Sequence, residues 1–388
     1  MIEQKLNRMG PRMALVSRVA ILLLMALSLV GQTGCSRSIR KDGTQVAKIG
    51  SATAKQMGDY YESLQKDITD TYELNAFRSA FLEQRTYDRL AAQAKAAGQP
   101  IPPPPAIALS ETDKLTSQAF QTTYTALQKR IGVAHAMQDA YDSFQHITEY
   151  NATAEIDKSI ANLATSLKAA KVSSLPTIDP TGAVTTVGQA LFEDVINELA
   201  TVQSNRAILR ESEHLAVILE KIQKLFESEL VLYGGDQTVK DSSGADVQIS
   251  GITGRRAAAY REVVTELVQG EAIITTSLVT RVLGQYDFKW PEPQVPFTQP
   301  AMKAGIIKMI EARSYPIVQL SVDTGDKLSG SLKKLALIHH QLAAKRPLSL
   351  QEALDQSETV QVLLNQLKKK SVPVDLIKEL FQTFQKGA

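Results

Sequence analysis

The sequence predicts an all-α fold: an elongated antiparallel bundle of long helices with one small β-hairpin, plus a C-terminal module of short helices. Three observations carry this. Apolar residues recur at steps of three and four over most of the 388-residue chain, which is the helical period. The proline-rich runs, Pro100–Pro105 and Trp290–Pro300, fall between these stretches. Residues 237–249 read instead as two short strands around Asp241-Ser-Ser-Gly.

Residues 1–18 set Lys5, Arg8, Arg12 and Arg18 against Glu3, and Val19–Val30 carry no charge. A basic segment before a short apolar run reads as an export signal, so residues 1–34 are expected to be a signal peptide. Crossing the hydrocarbon core takes about 20 apolar residues, more than this run supplies.

Gln32-Thr33-Gly34-Cys35 follows at once. Small residues at the two positions before a cysteine resemble the lipobox of bacterial lipoprotein precursors, with Gln32 standing where that family usually has Leu. The resemblance implies cleavage before Cys35, diacylation of its thiol and acylation of the new amino group. It implies residence in the bacterial cell envelope. Ser36 in place of Asp resembles the outer-membrane-sorted class, facing the periplasm. Cys35 is the chain's only cysteine, so it has no disulfide partner within it. Two or more acyl chains give a stable anchor where one is marginal. Residues 35–45, polar and basic through Arg37, Arg40 and Lys41, read as a lipidated tether.

A long-helix body is expected over 46–285. Met57, Tyr61, Leu64, Ile68, Leu74, Phe77 and Phe81 mark its first helix, which Gly98 stops before the polyproline connector. Ser110 with Asp113 resembles a capping box. From there Phe120, Tyr124, Leu127, Ile131, Tyr141, Phe144, Ile156, Ile160, Leu163 and Leu167 continue a helical pattern to about 171. Unbroken, it would extend on the order of 90 Å, but the stripe drifts between Phe144 and Ile156, which predicts a bend there. Residues 173–188 read as a loop and 189–233 as helix. In the latter, Ile208, Leu215 and Ile222 repeat by seven, and Glu211 and Glu229 interrupt the seam. The hairpin at 237–250 follows, then a helix over 255–283.

Residues 286–300 form a Pro-rich linker before the module at 301–388. Helices are expected there at about 301–314, 325–344, 350–370 and 374–386. Ser349 with Glu352 is a capping box for the third. Val374, Ile377, Leu380, Phe381 and Phe384 make the last strongly amphipathic.

Without the leader, 43 basic and 41 acidic residues become 39 and 40. A near-neutral domain with no basic block argues against nucleic acid as a ligand. The catalytic motifs are weak. Asp323-Thr324-Gly325 has the triplet of aspartic proteases, but Asp326-Lys327-Leu328 reads as a helix start with Asp323 or Thr324 as N-cap. Ser63-Leu-Gln-Lys66 and Ser331-Leu-Lys-Lys334 match Ser-x-x-Lys, and the companion Lys-Thr-Gly is missing. His135 and His146 lie about 16 Å apart along one helix, too far to share a metal, and adjacent His339 and His340 diverge by about 100°. His214 stands alone; all five are expected at or near the surface. Gly251-Ile-Thr-Gly-Arg-Arg256 leads into a helix, a plain start that also has the groups for holding an anion. Asn151-Ala-Thr is a glycosylation sequon only in a eukaryotic secretory route.

No cofactor and no metal is expected. These observations point to a lipid-anchored envelope scaffold or accessory subunit acting by contact, held to the membrane through acyl chains on Cys35. Its partner is expected to be another envelope protein or a second copy. The alternatives are a hydrolase of envelope polymers with a site assembled from distant residues, and a lipid-binding helical protein.

Overall fold

The computed structural model describes residues 11–104, 111–150, 153–172, 176–178, 184–186, 207–234, 236–240, 246–269 and 300–369. Among these the protein is all-α. Its helices are α1 (Pro11–Ala96), α2 (Glu111–Tyr150), α3 (Thr153–Val172), α4 (Ala207–Tyr233), α5 (Ile252–Gln269), α6 (Pro300–Ala343) and α7 (Leu350–Lys369). Two short strand pairs are present, β1 (Pro176–Ile178) with β2 (Val184–Thr186), and β3 (Asp236–Lys240) with β4 (Asp246–Ser250). Both pairs are antiparallel, and Val239 faces Val247 in the second.

α1 and α2 run antiparallel. Thr44 Oγ1 lies 2.8 Å from Thr148 Oγ1, Ser51 donates to Asp142 at 3.2 Å, and the Tyr72 and Phe120 rings stack 4.6 Å apart. α3 folds back on α2, so that Ser143 meets Ser159 at 2.8 Å and Arg130 reaches the Ala170 carbonyl at 2.8 Å. α4 and α6 are antiparallel too, from Ser212 beside His339 at one end to Leu230 beside Gly325 at the other. α5 lies parallel to α1, pairing Asp67 with Arg256 and Arg78 with Glu262. α7 returns along α6, with Gln356 on the Lys327 carbonyl at 3.0 Å.

Several sequence expectations change here. The pattern over 110–171 is not one long helix. It holds two helices, one ending at Tyr150 and the next starting at Thr153, that pack on each other, in keeping with the drifting stripe. The segment read as a tether is helical, and packing starts within it: Ile39 is half-buried and Gly43 fully buried, while Ser38, Arg40 and Lys41 are exposed. The two helices expected at 301–314 and 325–344 are one 44-residue helix with Pro316 inside it. Asp323 and Thr324 are therefore not caps. Thr324 is buried mid-helix, its hydroxyl donating to the Leu320 carbonyl at 2.6 Å. Gly325 costs the helix about 1 kcal/mol in propensity. Tertiary packing offsets this, since a Cβ there would lie 2.8 Å from Leu230 Cδ2 and 2.9 Å from the Tyr60 hydroxyl.

The described part of 301–388 is not a separate module. Leu328, Leu332, Leu335, Ile338, Val360 and Leu364 belong to one core with Met57, Leu127, Phe144, Leu163 and Phe226. Each helix buries one stripe there, the usual origin of bundle stability. The linker at 286–300 (but for Pro300), and the segments 189–206, 270–285 and 374–386, lie outside the described residues.

Candidate functional site

Three buried polar networks lie between the helices, where apolar contacts alone were expected. The first joins α2, α3 and α4. Arg130 and Glu229 form an ion pair with both side chains 2% exposed. Arg130 Nε donates to Glu229 Oε2 at 3.3 Å, and Nη1 donates to the Ala126 carbonyl at 3.3 Å and the Ala170 carbonyl at 2.8 Å. The Tyr233 hydroxyl donates to the same carboxylate. Burial disfavours the guanidinium charge, but the Glu229 carboxylate outweighs it and holds Arg130 above its ordinary pKa. Tyr60, Tyr61, Phe226 and Tyr233 close the site with ring centroids 5.6–6.4 Å apart. Burial pushes the Tyr60, Tyr61 and Tyr233 hydroxyls well up, so they stay neutral.

The second network joins α1, α5 and α6. Arg256 sits between two carboxylates, with Nη1 2.8 Å from Asp67 Oδ1 and Nε 2.9 Å from Asp70 Oδ2. Thr253 Oγ1 lies 3.0 Å from Asp67 Oδ2 and 3.0 Å from Ser321 Oγ, and the Tyr60 hydroxyl donates to the Ser321 carbonyl at 3.2 Å. Burial raises the pKa of Asp67 despite Arg256 beside it. One cation shared by two acids leaves an uncompensated negative charge, which favours a proton.

The third network centres on His339, fully buried between α2 and α4. Its Nδ1 lies 2.8 Å from Ser212 Oγ and its Nε2 lies 2.9 Å from the Tyr141 hydroxyl. Ser212 Oγ also donates to the His339 carbonyl at 3.1 Å. One proton arrangement satisfies every donor: Nδ1–H to Ser212, the Ser212 hydroxyl to the carbonyl, and the Tyr141 hydroxyl to Nε2. Burial depresses the His339 pKa to about 3, so the ring is neutral at physiological pH.

This contact has the atoms of a serine–histidine pair but not its chemistry. The serine proton goes to a carbonyl rather than to a ring nitrogen, and Ser212 and His339 are both 0% exposed. The other two networks are buried as well, although in the second Asp70 Oδ2 and Arg256 Nη2 have no hydrogen-bond partner among the described residues. Arg130, Glu229, Asp67 and Arg256 are at most 6% exposed; Arg130 and Glu229 neutralise each other, while the second network keeps one acid in surplus. Such groups fix which helix faces meet, because any slip leaves a buried charge without its partner.

The residues singled out in the sequence fall elsewhere. Cys35 lies inside α1. His135 is exposed, His146 pairs with Glu155 at 3.1 Å, and His340 bridges Glu213 and Glu220 at 3.4 and 2.9 Å. His214 lies 2.9 Å from Glu211. Burial tends to raise Glu211, but bonds from His214 and Arg210 prevail and hold its carboxyl below the ordinary value. Only His339 departs from the surface or half-buried setting expected of the histidines. Ser331 donates to the Lys327 carbonyl at 3.1 Å while Lys334 pairs with Glu352 at 3.4 Å, so this Ser-x-x-Lys is two unrelated contacts. Gln341, not Glu352, accepts from the Ser349 N–H, at 3.2 Å. Arg256, read as a possible anion ligand, is occupied by Asp67 and Asp70.

Sequence reasoning missed Arg130, Asp67, Ser212 and His339 as core residues. The one signal available was Glu211 and Glu229 breaking an otherwise apolar seam. No protein-family model, no curated protein and no solved structure matches this chain. Among the described residues, no group of three or more His, Cys, Asp or Glu is placed to hold a metal ion, and no helix is long and apolar enough to cross a membrane.

Proposed function

We propose that this protein is a lipid-anchored scaffold of the bacterial envelope, working as a stiff helical strut that presents contact surfaces to an envelope partner or to a second copy. The observation that carries this is the continuity of α1, which holds Cys35 and the body's first core residues in a single helix. From Cys35 to Ala96 that helix extends on the order of 90 Å. An acylated Cys35 would thus be joined to the body by helix instead of by loose chain. Two buried ion-pair sites, one joining α1 to α5 and one joining α2 to α4, support the same reading, because they resist sliding of the helices.

The contact surfaces we favour are the segment around 237–250 and the C-terminal Phe381 and Phe384. Crosslinking in living cells, with membrane fractionation of Cys35→Ala beside the parent, tests the proposal. The parent should pellet with membranes and give a discrete crosslinked species. Cys35→Ala should move to the soluble fraction with unchanged helicity and melting temperature. A variant that still pellets would overturn the anchor, and a parent without any crosslinked partner would overturn the scaffold.

A further inference from the structure

The β3–β4 pair rises from a fixed base at the junction of α4 and α5. A Cβ on Gly251 would lie 2.0 Å from the Gly234 carbonyl oxygen, so the two backbones approach as only glycine allows. The Gly254 N–H donates to the Gly234 carbonyl at 3.2 Å, and the Thr253 hydroxyl donates to the Tyr233 carbonyl at 3.2 Å. These bonds tie the end of α4 to the start of α5, and the two strands pair between them.

That sheet has two strands and, among the described residues, no third. Each outer edge therefore offers a row of backbone N–H and C=O groups that a further strand can pair. Two strands by themselves are marginal in water, and added strands stabilise them. Neither strand contains a proline that would block such pairing.

β3 reads Asp236-Gln-Thr-Val-Lys240, acidic at one end and basic at the other. Resting on the scaffold reading above, we propose that β3 pairs antiparallel with β3 of a second copy about a two-fold axis at Thr238, joining the two hairpins into one four-stranded sheet. In that register Asp236 stands opposite Lys240 of the other copy, and the symmetry makes the match twice. Opposed unlike charges stabilise a strand pair. Lys240 also stands opposite Asp246 within its own hairpin, so each lysine lies between two acids across the sheet. Backbone groups match as well. The register sets each residue opposite one of the same alternate set, so those whose N–H and C=O face away from β4 meet their like.

The other edges fit less well. β4 reads Asp246-Val-Gln-Ile-Ser250 and has a single charge, so two copies of it match none. β3 against β4 of another copy, in the hairpin's own register, matches only Lys240 with Asp246. Such a head-to-tail contact does not close at two copies, whereas the two-fold pairing does.

Disulfide trapping on the mature chain carrying Cys35→Ala tests this. Thr238→Cys stands opposite itself across the axis, at the Cα separation of about 4.5–5.5 Å that opposed antiparallel residues have, within disulfide reach. Gln237→Cys stands diagonal to its copy at about 8 Å, beyond reach. Under a mild oxidant the first should form an intermolecular disulfide on the order of tenfold faster than the second. In sedimentation equilibrium, Asp236→Lys should weaken dimerisation by about tenfold, since it opposes like charges twice and leaves the Lys240–Asp246 match intact. The triple swap Asp236→Lys, Lys240→Asp and Asp246→Lys should restore it. Equal trapping rates, a dimer indifferent to Asp236→Lys, a triple swap that stays weak or assembly beyond two copies would each overturn the proposal. A parent that gives a discrete crosslinked species in cells, with a Thr238→Cys variant that never traps, would overturn this pairing alone and leave the scaffold reading standing.

Discussion

Arg130 of α2 and Glu229 of α4 meet inside the bundle, each side chain 2% exposed, although 99 residues separate them in sequence. Breaking such a pair strands a buried charge, which costs about 3–5 kcal/mol. Arg130→Met alone and Glu229→Leu alone should each destabilise by that amount in urea unfolding. The double variant should recover most of the loss, because apolar residues of similar volume replace a buried pair at little net cost. Additive losses would show that the two residues act independently.

His339 should give the fold an acid sensitivity of known sign. The unfolded chain takes up this proton below about pH 6.5, whereas the folded chain resists until about 3. Protonation therefore favours the unfolded state, and stability should fall by about 1.4 kcal/mol per pH unit across that window. The contribution is fully present above pH 6.5. His339→Gln should be less stable at neutral pH and should lack this component of the slope. Urea midpoints of both proteins between pH 7 and 4 measure it, and parallel curves would refute it.

Arg256 and Asp67 should be unequal partners. Arg256→Met leaves Asp67 and Asp70 facing each other without a cation and should cost about 3–5 kcal/mol. Asp67→Asn leaves Asp70 to hold the guanidinium and should cost about 1 kcal/mol. The raised pKa of Asp67 means that its charge subtracts from stability at neutral pH, and that stability returns as pH falls through the folded pKa. The shortfall of Asp67→Asn against the parent should accordingly widen toward acid. Equal losses at neutral pH in the two variants would contradict this reading of the network.

Gly50 should be the least replaceable small residue of α1. A Cβ there would lie 2.0 Å from the Tyr141 ring, which is fully buried and hydrogen-bonded to His339. Gly50→Ala should destabilise by about 1–3 kcal/mol despite its better helix propensity, because α1 and α2 must move apart. At Gly132 a Cβ would meet nothing within 4 Å, so Gly132→Ala should stabilise by up to about 1 kcal/mol. Thermal unfolding of the two variants side by side separates packing from propensity.

Period and punctuation were local and therefore legible in the sequence. The stripes of α1, α2 and α4 and the stop before Gly98 depend on residues a turn or two apart. Where the expectation went astray, a distant group had outweighed a local preference. Gly325 looks like a break until Tyr60 and Leu230 are seen filling the space of its missing side chain. The helix expected to stop at about 314 instead runs on through Pro316 within α6.

The candidate sites divide on the same line. By itself the sequence determined the all-α class, the amphipathic faces, and Cys35 as the residue that resembles a lipid attachment point. Tertiary structure alone decided that residues 153–172 fold back on α2, that α6 and α7 share the core of the earlier helices, and that Arg130, Asp67 and His339 are buried with partners. A helical period records only that one face avoids water. Which face meets which is set by a few buried charges and hydrogen bonds, and their partners lie about 100 to 200 residues away.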